Sequence, residues 1–127
     1  MRDLPDDSEL LEAIGAFLRD EAVPNLAGRP AFLARVAANA VDILRREREQ
    51  APGAEAAARE RLEALLGRPG TLEALNEALC EAIAAGELTL ETPGLAEHLW
   101  ASTLDRLAVD QPRYSGYLRA LEQRQGR

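Results

Sequence analysis

The residues best placed to do chemistry are polar groups that recur at helical spacing among leucines and alanines. At about 100° per residue, Asn76 falls within the stripe formed by Leu72, Leu75, Leu79 and Ile83. Arg106 falls between Leu95 and Leu99 on its helical wheel, with Asp110 one turn further on. Glu21 and Glu47 take comparable positions at the ends of the first two helical stretches, and Asn39 borders the second stripe. Burying such groups without partners costs about 1–3 kcal/mol each by mutational measure, so they are expected to meet one another or to line a cavity. Two arrangements satisfy this. In the first, Arg106 and Asp110 pair at i,i+4, are joined by Glu21 or Glu47, and fix the register of the helices. In the second, a polar pocket opens where Arg106 holds a small anionic molecule and Asn76 orients it. The spacing favours the structural network over the pocket.

Other chemistries find few residues. His98 is the only histidine and Cys80 the only cysteine, so a metal site built from converging His and Cys ligands is not expected. A di-iron bundle needs paired Glu-x-x-His motifs, and no glutamate stands three residues before His98. A nucleophilic device depends on His98 alone, and the wheel turns it away from the Leu95–Leu99–Thr103 face, as a solvated side chain. Cys80 flanks an apolar stripe and reads as a small buried hydrophobe. Glycine-rich phosphate cradles are absent. No catalytic residue, metal or cofactor is expected, and enzymatic activity is the least favoured reading.

The elements that would hold these side chains are helices. Leucine and alanine dominate, whereas the aromatics are Phe17, Phe32, Trp100, Tyr114 and Tyr117, a mixture that favours helix over strand. Asp6 with Glu9 suggests a capping box opening a helix from about Asp7 to Ala22, with Asp7 or Ser8 as alternative caps, ended by Pro24–Pro30. Pro30 suits the first turn of a second helix, running to about Glu49 with Phe32, Leu33, Val36, Ala37, Ala40, Ile43 and Leu44 inward. Gln50–Gly53 reads as a turn, and a third helix follows from Ala54 to Leu66. Thr71 caps a fourth that stops at Gly86, after which Leu88 and Leu90 are expected to plug the core, the alternative being a brief extended pairing. Thr92–Pro93 opens a fifth that ends near Val109, and the tail from Arg113 forms a short helix before fraying. The expected fold is all-α, an up-and-down bundle of five or six helices with short connections, within a single domain over 1–127.

The formal net charge of −7 repels polyanions and argues against nucleic-acid or anionic-membrane binding. No apolar run approaches the roughly 20 residues of a membrane span. The start of the chain has no apolar signal-peptide core, and a single cysteine suits a reducing compartment, so a cytoplasmic location is expected. Basic charge comes only from arginine, and the Arg, Ala and Gly bias suggests a GC-rich bacterial genome.

Several stretches together resemble a bacterial family of unknown function. They are Asp3–Leu4–Pro5, Arg35–Ala40, Asn76–Cys80 and Leu107–Tyr114. The resemblance implies small helical proteins often encoded beside acyl-CoA dehydrogenases and aminoglycoside-phosphotransferase-like kinases. It supplies no catalytic residues. It implies an accessory role in acyl-CoA or related metabolism. The leading expectation is a non-catalytic interaction module with a protein partner or a second copy of itself. The alternative is a bundle that binds a small acyl or CoA-like ligand in the inward polar pocket.

Overall fold

The computed structural model describes residues 4–125; Asp3 of the Asp3–Leu4–Pro5 stretch and the end of the tail, Gly126–Arg127, lie outside them. The all-α expectation is met: the described residues form helices and connections, with no strand. In chain order they are α1 (Asp7–Ala16), a π-helical segment (Phe17–Ala22), α2 (Val23–Asn25), α3 (Gly28–Leu66), α4 (Leu72–Ala84), α5 (Leu95–Asp110) and α6 (Ser115–Gln125). Short connections join successive helices, consistent with up-and-down order. The chain divides into two compact units, Met1–Ala51 and Pro52–Arg127, and the boundary falls inside α3.

In the first unit, Asp6 caps α1 as its spacing predicts, with Oδ1 accepting from the Glu9 N–H at 2.8 Å. The helix does not end at Pro24. It widens into π register at Phe17–Ala22 and continues to Asn25. A proline ring in regular α-helix collides with the carbonyl four residues back, and the wider π turn accommodates it. Asn25 adds a side-chain bond, Nδ2 donating to the Glu21 carbonyl at 2.7 Å.

Three polar contacts fasten α1 and its π extension to α3. Arg19 Nη1 donates to both Asp42 carboxylate oxygens at 2.9 Å, Ser8 Oγ donates to Glu49 at 3.4 Å, and Asp7 pairs with Arg48. Gly15 is buried beneath the Arg19 guanidinium; a Cβ there would stand 3.1 Å from Nη2. The missing side chain lets Arg19 lie along the helix toward Asp42.

The expected turn at Gln50–Gly53 is not a turn. Helix α3 runs unbroken through Pro52. Arginine, glutamate and alanine on both sides are strong helix formers, and Pro52 is exposed, so water can serve the carbonyl that its missing N–H abandons.

The second unit has the stronger core. Leu62, Leu75, Leu79 and Leu95 are buried together, with Leu65, Leu66, Leu72 and Leu88 packed against them. At about 1.5–3 kcal/mol per buried leucine, this cluster is the main apolar stabilisation of the unit. Thr71 Oγ1 caps α4 by accepting from the Ala74 N–H at 3.1 Å. Leu88 plugs the core as expected, but Leu90 is 76 % exposed. Thr92 is not the cap of α5. Its hydroxyl accepts from the Thr89 N–H at 2.9 Å and closes the preceding turn. The N-cap is Gly94, at φ 91°, a left-handed conformation that a Cβ disfavours.

His98 also departs from expectation. It is buried, 3 % exposed, and its Nδ1 accepts from Arg61 Nε at 3.0 Å. That bond requires neutral imidazole at Nδ1. Burial, and then the Arg61 charge, hold His98 below its ordinary pKa of 6.5.

Two measurements check these features. A continuous α3 predicts that Pro52→Ala with Gly53→Ala raises stability by about 4 kcal/mol in chemical denaturation; a turn at this point predicts a loss. For His98, folded and unfolded states are both neutral above pH 6.5, and the full contribution is present. As pH falls below that value the unfolded chain takes the proton first, so stability declines until the folded pKa is reached. His98→Gln keeps an acceptor for Arg61 and cannot take the proton. Its Tm should fall less steeply with acidification than that of the wild type; parallel curves would contradict the assignment.

Candidate functional site

Among the described residues of the first unit, the buried side chains are small. On α3 they are Ala31, Ala34 and Ala38, the last only 2 % exposed, and on α1 the buried residue is Gly15. With the alanines on one side, the larger apolar residues fall on the other. Phe32, Leu33, Val36 and Leu44 form an exposed stripe, turned roughly 170° from the alanines at 100° per residue. Leu10, Ile14 and Phe17 form a second exposed stripe on α1 and its extension. Phe17 and Phe32 are 59 % and 57 % exposed. The face expected to be the inner side of the second helix is therefore its outer side. Bulk alone marks the outer side, and the structure buries the alanines beside it.

The same rotation moves the candidate site residues outward. On α4 the buried positions are Leu75, Ala78, Leu79 and Ala82. Including the two alanines turns the inner face away from Asn76, which is exposed. On α5 the buried positions include Leu95, His98 and Val109. Leu99 and Arg106 are exposed instead.

Arg106 and Asp110 do pair at the expected spacing. Nε donates to Oδ2 at 2.7 Å and Nη2 to Oδ1 at 2.6 Å, a two-pronged fork. With side chains 57 % and 39 % exposed, such a pair is worth only about 0.3–0.5 kcal/mol. Asn39 and Glu21 are exposed and Glu47 half-buried. These three belong to the first unit, and Asn76, Arg106 and Asp110 to the second. Asn76 lies in an open groove with Cys80 and four glutamates, Glu55, Glu73, Glu77 and Glu81. Arg106 and Asp110 are not part of its lining. Cys80 is exposed, not a buried hydrophobe.

The chemistry available is narrow. Among the described residues, no three His, Cys, Asp or Glu side chains are placed to hold a metal ion, and no helix is long and apolar enough to cross a membrane. What sequence reasoning missed is the outward apolar surface of the first unit. Its signal was present in the i,i+3,i+7 spacing of Ala31, Ala34 and Ala38, a helix side lined by small residues.

No curated protein and no solved structure matches the chain. A family model described as a domain of unknown function, DUF6285, matches residues 24–114. That span includes all of α3, α4 and α5, and three of the four stretches that carry the resemblance. The chain belongs to the DUF6285 family.

Proposed function

We propose that this protein is a non-catalytic interaction module whose binding surface is the outward apolar side of its first unit. The observation that carries the reading is the pair of exposed stripes, Leu10–Ile14–Phe17 and Phe32–Leu33–Val36–Leu44. Isolated apolar residues on a surface are ordinary, but seven large ones in two helical stripes are not. Aromatic and aliphatic side chains in this arrangement match the way an amphipathic helix meets an apolar groove.

The finer proposal, drawn from the resemblance, is an accessory role toward an acyl-CoA dehydrogenase or a kinase-like enzyme. A small-ligand role finds less support. The groove around Asn76 is lined by four glutamates, which repel the phosphates of a CoA-like molecule. The Arg106 guanidinium is engaged with Asp110.

The native size of the protein in extracts of its own cells tests the reading. The wild type should elute well above the size of one chain, and Phe32→Asp with Val36→Asp should shift it to the single-chain position with helical content retained. Elution of the wild type as a single chain would remove the basis of the proposal.

A further inference from the structure

The exposed stripes differ in charge as well as position. The α1 segment with its N-cap and π extension carries exposed Asp6, Glu9, Glu12, Asp20 and Glu21, besides Asp7, which is paired with Arg48. Its one cation, Arg19, is committed to Asp42. Asp6 stands four residues before Leu10, and Glu21 four after Phe17, so carboxylates bracket this stripe at both ends. The opposite holds on α3. From Gly28 to Val41 there is no carboxylate, and Arg29 and Arg35 are exposed. Arg29 stands three residues before Phe32 and four before Leu33, and Arg35 three after Phe32, so cations bracket the start of this stripe.

We infer that the occupant of this surface is a second copy of the same chain, with the acidic apolar stripe of α1 in each copy lying on the basic apolar stripe of the partner's α3. The inference rests on the interaction-module reading and names its partner. One chain carries both complementary halves, so a two-fold arrangement uses each stripe once per copy and closes on itself. The composition of the unit points the same way. Its buried apolar side chains are alanines, and a unit of about 50 residues with so small a core ordinarily needs association to be stable. A second copy buries Phe17, Phe32, Ile14 and Val36, the residues that a self-sufficient hairpin would have placed inside.

Paired charge variants of the full chain, followed by sedimentation velocity across a concentration series, test this directly. The wild type should sediment as a dimer. Arg29→Glu with Arg35→Glu makes both stripes acidic, and Asp20→Arg with Glu21→Arg reverses the charge at the Phe17 end of the α1 stripe. Each variant alone should raise the dimer Kd by about a hundredfold, because like charges then face each other. An equimolar mixture should recover wild-type affinity, since in the mixed dimer both contacts again join opposite charges. Recovery also proves that the variants are folded. A monomeric wild type, or variants that dimerise as before, overturns the inference. If the purified wild type is monomeric yet its large native size in extracts is lost in Phe32→Asp with Val36→Asp, a different protein occupies the surface. The interaction-module reading then stands and the second-copy inference falls. If neither preparation exceeds one chain, both fall.

Discussion

Burial of alanine governs the first unit and sets what the rest of it can do. A helix side lined by Ala31, Ala34 and Ala38 allows close backbone approach, and polar contacts from α1 then fasten the unit at Asp42, Arg48 and Glu49. The consequence is energetic. At about 0.8 kcal/mol per buried methylene, an alanine contributes roughly 2 kcal/mol less than a leucine at the same position. Val41 and Ile43 are half-buried, but Phe32, Leu33, Val36 and Leu44 lie on the far side of the helix, in water. Ion pairs as exposed as Arg19–Asp42 add little in compensation. A surface of that kind gains most from being covered by another polypeptide.

The second unit shows the contrast. There Leu62, Leu75, Leu79 and Leu95 are buried together, and alanines at 78 and 82 fill the side of the same seam. His98 is held inside by Arg61, so the one histidine of the chain acts as a hydrogen-bond acceptor in the core. Its lowered pKa follows from that placement and needs no catalytic explanation. Arg61 Nη2 is buried with no hydrogen-bond partner among the described residues, a local cost the neighbouring leucine cluster must offset.

Much of the fold was legible because caps and glycine turns are local. Asp6, Thr71 and the stop at Gly86 behave as their residue types dictate. Prolines misled, since Pro24 and Pro52 both lie within helices. A π turn and an exposed helix side tolerate what a buried α-helix would reject. The candidate site was less legible. Wheel positions fix which residues share a side, but not which side is inward. Leucine-weighted stripes gave an inward direction displaced toward Leu99 on α5 and Ile83 on α4, both of which are exposed. Arg106 and Asp110 still found each other, because i,i+4 pairing on one helix does not depend on that choice.

The direction in which α3 faces can be read from one labelling experiment. Cys80 is exposed and serves as an internal standard in a chain carrying Ala38→Cys. With an impermeant maleimide under native conditions, the thiol at Cys80 should react at the rate of a free thiol. The thiol introduced at position 38 should react only when the protein opens, and so orders of magnitude more slowly. Comparable rates at the two positions would mean that the alanine side of α3 faces water, and the outward apolar surface would then lose its structural basis.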